Sequence, residues 1–324
     1  MEYKTYTHPG QPEMQVEVIL ASQPSNISNH KPVYTIRLRY PRVIHSEIMT
    51  HRVFGRNARS SRAVPVKTML NEVRNTPYVP WHWGKNQKGM QADEECKAKM
   101  SLEVDGVYFD DVSSREAWLM GSEYACNLAE AMMLAGFHKQ NPNRLLEPYA
   151  WIDTLITSTE WDNFLWLRDH KDAEPHLQDL ARLVKQAIDE AHINTLFSTE
   201  WHLPYITSDD VLWAVSEAVD SISTTANNLL CKVSAARCAR ISYKPFDGDA
   251  SYDKELARYD LLVSSDRVHA SPLEHQALPD VLMPGHEGPY GQWVTGRWSK
   301  PLLHGNLNGY IQARKLISNE CYTK

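Results

Sequence analysis

The chain has no Cys-x-x-Cys pair, and its five cysteines (Cys96, Cys126, Cys231, Cys238, Cys321) are scattered. An odd count without paired or metal-ligand spacing points to neither a disulfide framework nor a zinc site, and reads as free thiols. No apolar run approaches the roughly 18 to 20 residues of a membrane span. The start, Met-Glu-Tyr-Lys, lacks the apolar core of a secretion signal, so the expected compartment is the cytoplasm. Phosphate-cradling glycine turns are missing too: no Gly-x-Gly-x-x-Gly follows a strand pattern and there is no P-loop, so nucleotide recognition would rest on arginines. Without a Gly-x-Ser-x-Gly elbow, serine hydrolysis has no footing. Nor is there a basic excess. Thirty-four Lys and Arg against 40 Asp and Glu give a net charge of -6, which argues against general nucleic-acid binding. What remains is 324 residues, 42% hydrophobic and 23% charged, enough for one large core or two moderate ones.

Positive charge is instead concentrated in one place. Between His51 and Arg62, the residues Arg52, Arg56, Asn57, Arg59, Ser60 and Ser61 gather four guanidiniums, an imidazole, an amide and two hydroxyls, with no carboxylate among them. Composition alone favours a solvated basic face. The alternative is a receptor for a small anion, because the planar guanidinium fork matches phosphate oxygens in pairs and serine hydroxyls fill the remaining lone pairs.

Periodicity gives a coarse frame. Residues 14–22 and 33–40 alternate with period two and predict a hairpin of strands, joined by the Ser/Asn/Pro-rich stretch 23–31. Helical spacing from Val43 to His51 predicts a short helix ending at the basic stretch. Residues 77–91 have neither period and predict an ordered aromatic loop, with His82 as a packed, hydrogen-bonded residue rather than a ligand. A long helix is expected over 114–137, with Trp118, Tyr124, Leu128 and Met132 on its buried stripe and Gly136 closing it. Trp151 to Trp166 reads as a buried helical region, and a further helix is expected from about Ala173 to His192.

Three blocks then carry a resemblance. Thr50-His51-Arg52, seven residues, then Ser60, with Asn57 and Arg62, is the first; Arg144 and Pro148, then Asn163 and Arg168, is the second. The third joins Ser234-Ala235-Ala236-Arg237-Cys238-Ala239-Arg240-Ile241-Ser242-Tyr243 to Val268-His269-Ala270-Ser271-Pro272-Leu273-Glu274-His275. Together they resemble the flavin-dependent thymidylate synthases, whose signature is Arg-His-Arg, seven residues, Ser. Thr50 stands where the family has its first arginine. The third block follows the first, whereas in the family it precedes it, so the chain resembles a circularly permuted, phage-type member.

The resemblance implies an α+β fold, a mixed or antiparallel sheet packed with long helices. It divides the chain into a core at 1–200, a connector at 201–230, and a flavin-binding segment at 231–324 that completes the same fold. It implies reductive methylation of dUMP to dTMP with methylenetetrahydrofolate as carbon donor, FAD as carrier and NADPH as reductant, in a homotetramer of the cytoplasm, or of the host cytoplasm if phage-encoded. His51, Arg52, Ser60 and Arg168 would then work at the reacting centre. Glu47, Arg59, Ser60, Ser61, Arg62, Arg144 and Arg168 would bind the nucleotide, and His51, Arg52, Asn57, Asn163, Ser242, His269, Ser271 and Glu274 the flavin. Thr50 and the permuted order keep open a sister enzyme acting on another pyrimidine, such as dCMP, or leaving a hydroxymethyl group. A non-catalytic nucleotide-binding protein is the third reading, and an Arg168 merely paired with Glu160, Asp162 or Asp172 would look the same in sequence. No metal is expected. The polar turn at 305–315 offers Gln312, Arg314 and Lys315 to an anion.

Overall fold

A computed structural model describes residues 3–25, 30–197, 199–218, 222–242, 250–264, 267–287, 293–294 and 296–321. The two period-two stretches form long strands, β2 (Gln11–Pro24) and β3 (Val33–Pro41), paired antiparallel with Val16 opposite Leu38. The short β1 (Thr5–His8) pairs with the outer edge of β2. Arg42–Ile44 forms one 3-10 turn that runs into α1 (His45–Ile48), and β4 (Gly55–Ala58) carries the basic stretch. Next come α2 (Val66–Asn75), an exposed hairpin of β5 (Met100–Val104) and β6 (Val107–Val112), then α3 (Ser114–Leu134) and α4 (Gln140–Leu146). They are followed by β7 (Trp151–Ser158), α5 (Asp162–Arg168), α6 (Pro175–Asp189) and β8 (Asn194–Leu196). The last part holds α7 (Ser208–Glu217), α8 (Ile222–Ala239), α9 (Tyr252–Val263) and β9 (Ala277–Pro279), with a short strand at Tyr310–Gln312 against β9.

The main sheet has the order β1-β2-β3-β7-β4, with β8 added parallel to β2, so the architecture is α+β. Its pleat explains the sequence pattern. Ile36, Leu38 and Tyr40 of β3 face a core shared with Leu177, Leu180 and Val184 of α6, while Arg37 and Arg39 point the other way and pair with Glu17 and with Glu13 and Asp153. On the opposite face, Ile19 and Leu155 meet Cys238 of α8. A second cluster joins α2, α3 and α4 through Met69, Leu70, Cys126 and Leu146.

Two expectations change. Trp151 to Ser158 is a strand, β7, paired on both sides, and only the stretch after it is helical. β7 is buried on both faces, and its polar residues Asp153, Thr154, Thr157 and Ser158 fall on both of them, so its sequence carries no alternation to separate it from a buried helix. The long helix α3 is present, capped by Ser113 and Glu116, but Tyr124 and Leu128 are exposed and Ser122, Cys126 and Ala129 are the buried residues. Its small residues allow close approach to α2 and α4, while the large ones project outward. The boundary expected between 230 and 231 falls inside α8. All five cysteines are unpaired, and among the described residues no helix is long and apolar enough to cross a membrane.

Candidate functional site

β4 is an edge strand, and an open edge must have its backbone groups satisfied by something other than a strand. The third sequence block supplies the partners. The Arg56 N–H donates to Glu274 Oε2 at 3.2 Å, and Asn57 Nδ2 donates to the Cys238 carbonyl at 2.8 Å. Glu274 lies in the 3-10 turn Ser271–Glu274, which sits so close to β4 that a Cβ on Gly55 would lie 3.2 Å from Glu274 Cβ. Any larger residue would have to push that turn back by a few tenths of an ångström.

His51 follows α1 in a tight turn whose carbonyls are held by Arg56: Nη1 donates to Met49 O at 2.7 Å and to His51 O at 3.1 Å. The imidazole is buried against Phe54 and Phe164. Its Nε2 accepts from Arg168 Nε at 3.0 Å, which puts the ring proton on Nδ1. Burial first, then the positive charges of Arg168 and Arg56, push the His51 pKa down to about 4. Arg168 also donates to Thr50 Oγ1 at 3.3 Å and lies 3.7 Å from Glu47. Burial, with Glu174 adding to it, raises the Glu47 carboxyl above its usual value against the pull of Arg168. Glu160 and Asp162 pair with Lys31 instead, so the ion pairs that could have made Arg168 a purely internal residue are made elsewhere.

At the far end of β4 the chain turns through 60–63, where Ala63 N–H donates to Ser60 O and Arg62 N–H to Ser60 Oγ. Asn143, fully buried in the middle of α4, fixes this turn by donating to Ser61 O and Val64 O at 2.7 and 2.9 Å. Ser61 is buried and donates to Glu147, which also holds Arg42. Arg52, Ser60, Arg62 and Arg144 are exposed, and among the described residues none of the three guanidiniums has a hydrogen-bond or ion-pair partner. Five residues of extended chain from Gly55 to Ser60 span about 16 Å at ~3.3 Å each. The edge of β4 therefore has His51, Arg168 and Glu274 at one end and the Ser60 turn with Arg62 at the other.

The three blocks thus meet along β4, but not every expected residue has the expected freedom. Arg59 makes a two-pronged pair with Glu72 at 2.9 and 2.7 Å, so its charge is already balanced. Ser61 is occupied by Glu147. Asn163 and His269 are exposed, and Ser271 is half-buried with no partner among the described residues. Ser242 ends the 3-10 turn Arg240–Ser242, and its side chain, like the whole of Tyr243, lies outside the described residues. His82, partly exposed, is hydrogen-bonded to Asp179 at 3.3 Å and packs edge-on against the His176 ring at 5.3 Å between centroids. Lys315 pairs with Glu320, and Arg314 pairs with both Glu320 and Glu274, so neither is open to an anion. Asn143, Glu147 and Arg42 went unread in the sequence. Asn143 adjoins Arg144 and Glu147 adjoins Pro148, but only contacts across some 80 residues reveal what they hold.

No family model matches the chain, and no curated protein sequence matches it. The structure is similar to that of the flavin-dependent thymidylate synthase ThyX from Helicobacter pylori complexed with FAD and dUMP, at 16% identity and a TM-score of 0.31. The match covers 48% of this chain and 67% of that one. A likeness this partial decides nothing about activity.

Proposed function

We propose that the chain is a flavin-dependent thymidylate synthase of circularly permuted order, methylating dUMP with methylenetetrahydrofolate and using FAD and NADPH. The observation that carries this reading is the meeting of three distant blocks on β4: His51 with Arg168, Asn57 with Cys238, and the Arg56 amide with Glu274. Each link joins two of the blocks that the resemblance assigns to one site, and each is made within a single chain.

The donor set fits the proposed ligands. Among the described residues Arg52, Arg62 and Arg144 are exposed guanidiniums without carboxylate partners, suited to phosphate oxygens, and the Ser60 turn offers a hydroxyl beside Arg62. His51, neutral at pH 7, presents Nδ1–H as a donor to a ring carbonyl or nitrogen. Glu274 presents a carboxylate suited to sugar or ribityl hydroxyls, and Asn163, His269 and Ser271 are the remaining candidates on that side. Bound FAD would supply the one-carbon and hydride transfer to C5 of the pyrimidine, with NADPH restoring it. The residues of the chain orient and polarise. Arg168, already aligned by His51 and Thr50, would draw charge onto a uracil carbonyl and favour enolate character at C5. Exposed Met49, Val53, Trp166 and Leu167 flank these residues, an apolar surface that a neighbouring subunit of the expected homotetramer would cover.

Thr50 favours a second reading. With a hydroxyl in place of an arginine, Arg168 folds onto Thr50 and Glu47, which changes the charge facing the base and suits a sister enzyme on another pyrimidine, such as dCMP. Incubation with dUMP or dCMP, methylenetetrahydrofolate and NADPH, followed by mass analysis of the nucleotide, separates the two. A protein that binds nucleotide and shows no flavin absorption is instead a binding module.

A further inference from the structure

The C-terminal segment from Gly305 to Leu316 lies outside all three blocks, yet it ties two of them together. Asn306 Nδ2 donates to the Val53 carbonyl in the basic loop at 3.0 Å. Gln312 Nε2 donates to Asn306 Oδ1 at 2.7 Å and to the Glu274 carbonyl at 3.1 Å, so two side-chain amides bridge residue 53 to residue 274. The Ala313 N–H adds a bond to Gln276 O. Leu307 and Tyr310 are fully buried with Val33 and Ala277, and the Tyr310 hydroxyl donates to Lys31 O, so the segment is built into the core. Gly305, at φ +58°, gives Gln312 its space: a Cβ there would lie 2.3 Å from Gln312 Oε1. Arg314 then reaches the Glu274 carboxylate, with Glu320 holding the same guanidinium from its other side.

We propose that Arg314, with Asn306 and Gln312, is a positioning residue of the site. It fixes the rotamer of Glu274 so that one oxygen caps the free edge of β4 and the carboxylate keeps lone pairs for a ligand hydroxyl. The chemistry is direct. A carboxylate offers about four acceptor positions, and here Oε2 takes the Arg56 amide while Oε1 takes Arg314. Without the guanidinium, Glu274 has one anchor and is free to swing off the strand. The ligand this arrangement serves is a polyhydroxylated cofactor chain, and that part rests on the flavin reading above.

Two measurements keep the inference and that reading apart. The first needs no ligand: hydrogen exchange of the Arg56 amide in wild type, Arg314→Met and Arg314→Lys. Arg314→Met is expected to accelerate exchange at Arg56 about tenfold, with Arg314→Lys in between and amides of α6 unchanged. The second is FAD affinity by fluorescence quenching in Arg314→Met, Glu274→Gln and the double variant. Each single variant is expected to weaken binding about tenfold, and the double variant no further, because both act through one carboxylate. Wild-type protein that binds no FAD removes the flavin reading, and the exchange result still decides whether Arg314 holds Glu274. Unchanged exchange at Arg56 in Arg314→Met overturns the inference, as does an additive loss of affinity in the double variant. Should Arg314→Met not fold, Arg314→Lys decides: wild-type exchange at Arg56 in that variant overturns it.

Discussion

Arg168 donates through Nε to Nε2 of His51 at 3.0 Å, across 117 positions of sequence. The bond fixes the tautomer of a buried ring and the aim of a half-exposed guanidinium at the same time. Among the described residues Arg168 has one ion-pair partner, Glu47 at 3.7 Å, so its contribution to folding is small. Arg168→Ala is therefore expected to destabilise the chain by about 1 kcal/mol or less while weakening dUMP binding by more than tenfold. Urea melts and nucleotide titration test this, and Arg168→Lys, which keeps the charge but loses the fork, should recover little affinity.

The arginines of the basic stretch divide into two kinds. Arg59→Ala breaks a two-pronged bond to Glu72 and is expected to cost about 1–3 kcal/mol in stability, with little change in nucleotide affinity once the protein is folded. Arg62→Ala and Arg144→Ala should stay within about 0.5 kcal/mol of wild type but lower affinity for phosphate-bearing ligands and reduce its salt dependence. Unfolding by urea and titration at two salt concentrations would show the crossover.

Gly55 is the point of closest approach between β4 and the Ser271–Glu274 turn. In Gly55→Ala the new methyl would lie 3.2 Å from Glu274 Cβ and O and 3.3 Å from Thr157 O, backbone that cannot step aside cheaply. The expected cost is about 1–3 kcal/mol, together with loss of FAD binding, read by thermal melting and flavin fluorescence.

Four histidines are held neutral. Burial lowers His45 and His51 to about 4 and the fully buried His202 and His275 to about 3, with nearby arginines adding to the first two and His275 to His202. Between these values and 6.5 the unfolded chain binds more protons than the folded one, so stability rises with pH through that window and is lost as pH falls from about 6.5 toward 4. The urea midpoint measured from pH 7 to pH 4 should drop steeply, and His51→Gln should flatten the slope by about one proton.

The parts of the fold written in local pattern were legible: β2 and β3 from alternation, and α6 from Leu177, Leu180, Ala181, Val184 and Ala187, all buried. β7 was not, because it is buried on both faces and its polar residues, Asp153, Thr154, Thr157 and Ser158, follow no period. The His51 and Arg168 pairing was within reach through the spacing of two motifs. The roles of Asn143 and Arg314 were not, since each depends on a contact that sequence order does not encode: Asn143 on the carbonyls of Ser61 and Val64, Arg314 on a carboxylate 40 residues away. Arg59 shows the opposite error, a cation in the right stretch whose charge a neighbouring helix already balances.

The most direct test is the visible absorption spectrum of the purified chain titrated first with FAD and then with dUMP. The account predicts saturable FAD binding with a shifted flavin band, and a second spectral change when dUMP stacks against the bound ring, lost in Arg168→Ala. A chain that leaves the spectrum of free FAD unaltered at every protein concentration contradicts it.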